Sequence, residues 1–405
     1  MPALDPALLR PLFPALAREQ GGRPVVFVDG PGGTQVPRSV IGAMVAYLER
    51  SNANTHGAFA TSAETDVVIE GAHRAAADLL GADPDEIVFG QNATSLLFAV
   101  SRAIGRTLAP GDEVVVTRLD HDANVRPWVR MAEDAGATVR WVDVREDDVT
   151  LDLASFDAAL SDRTRVVAVT LASNAVGSTT PAAELARRAH AVGALVAMDG
   201  VHATPHRPID VRALGADLLA CSAYKFFGPH VGILFARRDL LAAWPAYKVR
   251  PATEDLPGRW ETGTQNHEGY AGVTAAVDYL AALGTGTDRR ARLVDAMTRI
   301  ADHEAMLAAR FLDGLAARGD VRLWGIADPT RVGERTPTFA IRVGDEAPAA
   351  TARRLADAGI YAWDGNYYAL ELMERLGLQA SGGAVRIGFA HYTTVDEVDR
   401  ILGAL

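Results

Sequence analysis

The feature that most constrains the fold of this chain is an alternation. Short runs rich in β-branched residues, at 86–89, 113–117, 138–144, 166–172, 195–199, 218–221 and 233–236, are separated by Ala- and Leu-rich stretches of helical length. Several of these runs are apolar on both faces. A strand with two apolar faces must be covered from both sides, so a mainly parallel sheet sandwiched between helices is the architecture that hides them. The connectors agree: Thr180 and Pro181 offer a cap-type hydroxyl and a proline at a first helical position, and Gly193 marks where that helix stops. The sequence predicts an α/β fold.

At 405 residues the chain is roughly two to three times a typical domain. Residues 283–288 read as a hinge into a long helical pattern at 289–318. A strand at 338–343, a helix at 350–358, a strand at 384–388 and a closing helix at 394–402 then make a smaller α+β unit. The expected organisation is a proline-rich head, 1–24, packing on the small domain, a large domain at 25–285 and a small C-terminal domain at 286–405.

Composition removes several function classes. Lys plus Arg number 40 against 51 Asp plus Glu, a formal charge of −11. Without a basic cluster such a chain cannot neutralise a phosphate backbone, so no nucleic-acid partner is expected. No apolar stretch reaches the roughly 18 residues a membrane helix needs. The first twenty residues lack a basic start, an apolar core and a small-residue cleavage site, so a cytoplasmic location is expected. A single cysteine, Cys221, excludes an intramolecular disulfide and a cysteine-based metal cluster. No close histidine pair with a carboxylate stands at metal-ligand spacing.

The chemistry is expected where strands end. Ser173 and Asn174 follow the run at 166–172, Asp199 closes the run at 195–199 ahead of His202, and Ser222 and Lys225 follow the run at 218–221. In an open α/β sheet, ligands bind beyond the carboxyl ends of the strands. An amide, a carboxylate and an amine therefore converge. That set suits pyridoxal phosphate: a lysine forms its Schiff base, and an aspartate keeps the ring nitrogen protonated by opposite-charge attraction. The segment 92–95, opening a helical run at 95–104, offers backbone N–H groups and hydroxyls to a phosphate. The glycine-rich turn at 29–34 lacks a Walker lysine and a dinucleotide fingerprint, and reads as a turn near the substrate mouth. Residues 52–61, with His56, are expected to line the same mouth.

The chain resembles the class V aminotransferase family of pyridoxal-phosphate enzymes (fold type I), and within it the cysteine desulfurase branch. The resemblance runs from about Val28 to the C-terminus. It is carried by Asp120-His121-Asp122-Ala123-Asn124 with Pro127-Trp128, by Ser173-Asn174-Ala175-Val176-Gly177, and by Asp199-Gly200-Val201-His202-Ala203. Ser222-Ala223-Tyr224-Lys225-Phe226-Phe227-Gly228-Pro229, Glu261-Thr262-Gly263-Thr264 and Ala384-Val385-Arg386-Ile387 complete it.

The resemblance implies Lys225 as the Schiff-base lysine, Asp199 as the partner of the ring nitrogen, and His121 as the imidazole stacked on the ring and shuttling protons. It implies Asn174 at the ring hydroxyl or the substrate carboxylate, and Ala93, Thr94, His202 and Ser222 at the phosphate and ring hydroxyl. Arg386 is implied as a two-pronged clamp for the substrate α-carboxylate. Thr264 is implied as a phosphate ligand given to a neighbouring subunit, hence a homodimer.

This chain departs from the family in three places. His202 stands where glutamine is frequent, and Tyr224 where histidine is frequent. The small-domain loop that carries the desulfurase nucleophile reads Tyr361-Ala362-Trp363-Asp364-Gly365-Asn366-Tyr367-Tyr368-Ala369, without a cysteine. Cys221 lies in an apolar run and reads as an inert core residue. The expectation is an amino-acid lyase of the C–S β-elimination type without persulfide transfer. Transamination, epimerisation and a non-catalytic scaffold that kept the fold are the alternatives. Asp364, Asn366, Tyr367 and Tyr368 are candidates for recognising the substrate side chain.

Overall fold

The computed structural model describes residues 4–405. Its large sheet contains β1 (Ile87–Gly90), β2 (Glu113–Thr117), β3 (Thr138–Val142), β4 (Thr164–Thr170), β5 (Leu195–Asp199), β6 (Leu218–Ser222) and β7 (Gly232–Ala236). The strand order is β1-β7-β6-β5-β4-β2-β3. Strands β2 to β6 run parallel, and β7 is antiparallel to both β1 and β6. The reversal has a local cause. Between β6 and β7 only the nine residues 223–231 intervene, opening with a turn of 3₁₀ helix, Ala223–Lys225, whereas a parallel return needs a crossover of about a dozen residues or more.

Alternation of side chains across the strands divides the interior in two. Val88, Val114, Val116 and Ala197 face α3 (Ala93–Gly105) and α4 (Arg126–Ala135). Phe89, Val115, Val169 and Met198 face the other way. There the earlier helix α2 (Ala60–Leu80) packs with α5 (Ala182–Ala191) and α6 (His267–Ala282). Helix α1 (Arg38–Arg50) lies on α6.

The 28-residue α7 (Arg289–Ala316) buries Leu293, Met297 and Ile300 in the second of these cores. Its later turns bury Leu307 and Phe311 in a third. That third core covers an antiparallel sheet of β8 (Val321–Trp324), β9 (Thr338–Val343), β10 (Trp363–Gly365) and β11 (Ala384–Gly388), ordered β8-β9-β11-β10. Helices α8 (Pro348–Asp357) and α9 (Val395–Ala404) complete it.

Two local expectations are corrected. The Thr180 hydroxyl does not cap α5: it donates to the Thr170 carbonyl at 2.6 Å, and Pro181 itself stands at the N-cap. The hydroxyl is drawn off because Thr180 still lies beside the end of β4, its own amide bonded to the Leu171 carbonyl at 3.1 Å, where a backbone carbonyl competes for it. The helix expected at 95–104 begins earlier, at Ala93, because Asn92 caps it: Asn92 Oδ1 accepts from Ser95 N at 2.9 Å.

The head reaches both parts of the chain. Arg10 pairs with Glu397 at 2.9 Å, while Phe13 sits among Phe227, Tyr279, His391 and Tyr392. A buried cation, Arg335, ties the loop after β4 to the second sheet. Its guanidinium donates to the carbonyls of Ile326, Val176 (3.2 Å) and Thr338 (2.5 Å).

Candidate active site

Beyond the carboxyl ends of β4, β5 and β6 lies a cavity of about 870 Å³. Ala93, Thr94, His121, Asn174, Asp199, His202, Ser222, Lys225 and Arg386 all line it, as do Asp364, Asn366, Tyr367 and Tyr368. Parallel register explains the convergence: Thr170 on β4 lies opposite Asp199 on β5, which lies opposite Ala220 on β6. Residues just past these positions emerge side by side.

Asp199 is buried, and its Oδ1 accepts from Val201 N at 2.8 Å. Burial raises its pKa to about 6, against the pull of that hydrogen bond and of Lys225. Lys225 leaves β6 in the short turn, lies 4.8 Å over the Tyr224 ring and donates from Nζ to the Pro31 carbonyl. Burial and the Arg386 charge bring its pKa down to about 7, with Asp199 and Asp29 opposing. An amine in this environment is free of its extra proton for much of the time near neutrality.

The start of α3 forms one wall. Ala93 N donates to Ser222 Oγ at 3.1 Å, and Asn92 takes the amides of Ser95 and Leu96. The Thr94 amide is left without a protein acceptor among the described residues. The glycine at 232 permits this approach: a Cβ there would stand 2.6 Å from Asn92 Cα.

His121 follows β2. Its Nδ1 accepts from Ala123 N at 3.0 Å, which places the hydrogen of the neutral ring on Nε2. Burial, Lys225 and Arg386 hold its pKa down at about 3, so the ring is neutral at physiological pH. Tyr368 stacks on it with centroids 5.5 Å apart.

Arg386, on β11, donates to the Asn174 carbonyl at 3.0 Å and lies 4.6 Å over the Tyr367 ring. It makes no ion pair with a carboxylate among the described residues, and its buried Nε has no acceptor. Burial pushes its pKa down to about 10. The loop before β11 is held firmly: Asn174 Nδ2 donates to the Tyr367 carbonyl at 2.9 Å, and Asp122 N to that of Tyr368 at 2.7 Å. Both tyrosines are left-handed, at φ 55° and 58°. Such backbone persists only where its surroundings hold it.

Two expected residues lie elsewhere. Thr264 is exposed and does not line the cavity. The segment 52–61 is a correction: none of its residues lines this cavity, and His56 is exposed beside Asp66 at 3.4 Å.

The structure also gives a place to residues that sequence reasoning named without a site role. Tyr224 and Trp363 line the cavity, as does Gly32 of the turn expected near the mouth, and Trp363 Nε1 fills the space where a Cβ at Gly32 would be, 2.6 Å away. Asp29 is half-buried, with its Oδ1 buried and unpartnered among the described residues and a pKa raised by desolvation to about 6. Thr336 touches His202 Nε2 at 3.0 Å. Asp29 and Gly32 stand in the glycine-rich turn, and that cluster was the one available signal for them.

The profile of the family described as Aminotransferase class-V matches residues 26–401. The chain belongs to that family. Its members use pyridoxal 5′-phosphate, and this chain is a cysteine desulfurase-like, pyridoxal-phosphate-dependent class V enzyme. A cysteine desulfurase of Pectobacterium atrosepticum is 32% identical over 409 residues, covering 97% of this chain and 95% of the relative. A probable cysteine desulfurase of Mycobacterium leprae is 34% identical over 422 residues, covering 99% and 96%. The solved structure of the cysteine desulfurase CsdA from Escherichia coli superposes with a TM-score of 0.84 at 27% identity, covering 100% of this chain and 98% of that one. The class V fold of type I, with its large mostly parallel sheet, is therefore shared along the whole chain. No helix among the described residues is long and apolar enough to cross a membrane.

Proposed function

We propose that this class V enzyme is an amino-acid lyase of the C–S β-elimination type that does not transfer sulfur to itself. The observation that carries this reading is the state of its one thiol. Cys221 is fully buried in β6, 0% exposed, and burial pushes its pKa up to about 12. A thiol that neither ionises nor reaches the cavity surface cannot take sulfur from a substrate. The loop at 361–369 offers tyrosines and a tryptophan in its place.

The residues present fit the cofactor. One end of the cavity has an unpaired helix-start amide with two hydroxyls, as a phosphate needs. The middle has a buried carboxylate and an amine of lowered pKa. Asn174 Oδ1 is buried and lacks a partner among the described residues. Bound pyridoxal phosphate supplies an electron sink for the pair left at Cα when a bond there breaks.

The protein does the rest. Ala93, Thr94 and Ser222 hold the phosphate, and Asp199 holds the ring nitrogen in its protonated form. Lys225 Nζ keeps the cofactor in place and, once released, takes the Cα proton of the substrate. Arg386, which pairs with no carboxylate among the described residues, receives the substrate α-carboxylate. His121 holds a proton on Nε2 for the departing sulfur. With cysteine and one water the balanced products are pyruvate, ammonia and hydrogen sulfide.

The Cys221→Ala variant tests this reading: turnover of cysteine and of thioether amino acids stays within about twofold of the parent. Loss of activity in a variant that still binds cofactor would make Cys221 a sulfur acceptor and overturn it.

A homodimer is part of the same proposal. Thr264 is exposed, and Ile41, Val45 and Leu48 form an exposed apolar row along α1, which lies on α6 just after Thr264. Light scattering gives a dimer's mass on this account, and a monomer at full activity would contradict it.

A further inference from the structure

Two large aromatic rings stand open at the cavity, and exposed rings beside a binding cleft mark a surface that a ligand or partner covers. Trp363 is 55% exposed and Tyr368 73% exposed, and both line the cavity. Each is fixed in place. Trp363 on β10 is the direct cross-strand neighbour of Arg386 on β11, and opposed residues of an antiparallel pair present their side chains on one face. The two side chains converge over the glycine-rich turn. A Cβ at Gly32 would lie 2.6 Å from Trp363 Nε1, 3.0 Å from its Cδ1 and 3.5 Å from Arg386 Nη2. The bare backbone at 32 therefore seats the indole by its pyrrole edge and leaves the rest of the ring open.

Tyr368 is held through its backbone. Its N–H donates to Asn366 Oδ1 at 3.1 Å, and its carbonyl accepts from Asp122 N at 2.7 Å. Its ring lies on His121 with planes 21° from parallel, and at 73% exposure the opposite face is free. Among the described residues, His121 is the only ring against either side chain.

These two positions follow a substrate outward. A carboxylate held by Arg386 starts beside Trp363. A sulfur leaving toward His121 Nε2 brings its substituent to the ring stacked on that imidazole. Rings fixed before a ligand arrives lose little freedom when it binds, and a flat group laid against them gains an aromatic contact beyond its buried area. Free cysteine, with only a hydrogen on sulfur, has nothing to lay there.

We infer that the preferred substrate is a cysteine whose sulfur bears a flat aromatic group, and that Trp363 and Tyr368 select it. The identity of the leaving atom rests on the elimination reading above. With S-phenylcysteine and one water, the Cβ–S bond breaks and sulfur keeps the electron pair and takes a proton. The products balance as pyruvate, ammonia and thiophenol.

The preference is read by calorimetry on the holoenzyme with two L-amino acids that cannot eliminate. One is homophenylalanine, in which CH₂ replaces the sulfur of S-phenylcysteine; the other is its cyclohexyl counterpart, equally long but saturated. Their amino-acid parts are the same, so the ratio of the two Kd values reports the ring alone. Homophenylalanine is expected to bind about threefold or more tighter. Trp363→Leu and Tyr368→Leu each bring the ratio toward one, and Trp363→Phe keeps it nearer the parent value.

Equal affinities in the parent, or a tighter cyclohexyl analogue, overturn the inference; the rings would then be plain apolar surface or the cover of a partner chain. That measurement needs no variant. A preference that survives in both leucine variants overturns the assignment to Trp363 and Tyr368. Neither analogue carries sulfur, so these affinities are independent of the sulfur's fate, by which the lyase reading itself is judged.

Discussion

Lys225→Ala loses covalent retention of the cofactor and lowers turnover by about 10³-fold or more. Two jobs disappear together. The amine that holds the cofactor is gone, and so is the base that takes the Cα proton. The environment of Lys225 makes the size of the effect understandable: burial and Arg386 bring its pKa to about 7, so the chain keeps an unprotonated amine ready in the cavity. His121 cannot replace it, because its pKa of about 3 and its Nε2 hydrogen make it a donor. The same pKa sets the pH dependence of cofactor uptake. Only the neutral amine attacks an aldehyde, so the rate of covalent capture by apoprotein climbs by about tenfold per pH unit below pH 7 and levels off above it. Borohydride reduction followed by peptide mass analysis locates the attachment. Attachment at another lysine, or a capture rate that is flat from acid to neutral pH, would contradict this assignment.

Arg386→Gln is expected to reduce kcat/KM by about 10²-fold or more while leaving cofactor uptake intact. The guanidinium is buried, it has no carboxylate partner among the described residues, and its Nε is unused there. A substrate carboxylate satisfies both the charge and the missing acceptor, and a neutral amide satisfies neither. The loss should fall mainly on KM, because the contact exists as soon as the substrate binds. A variant with the parent's KM would remove Arg386 from the substrate site.

Strand positions were legible because they depend on local composition. Leu195–Asp199 and Glu113–Thr117 are runs of apolar residues that end at a polar one, and the register of a parallel sheet brings such ends together whatever the intervening helices do. Asp199, Asn174 and Lys225 could therefore be placed by reading strand ends alone. Arg386 could not: it comes from a different sheet, some two hundred residues downstream, and only resemblance to the family pointed to it. The contact of His202 with Thr336 was not legible either, since no spacing rule connects the two. His56 was misplaced because where the whole segment 52–61 runs depends on tertiary packing that leaves no mark on hydropathy. The reversed strand β7 follows from the shortness of its connection, and that length is written in the sequence.

The measurement that bears most directly on the account is the fate of sulfur when the holoenzyme turns over cysteine without added reductant. Pyruvate and free sulfide in equal amounts, with the mass of the protein unchanged, is the result this structure predicts. Alanine as the main product, with extra sulfur bound to the chain at Cys221, would contradict it.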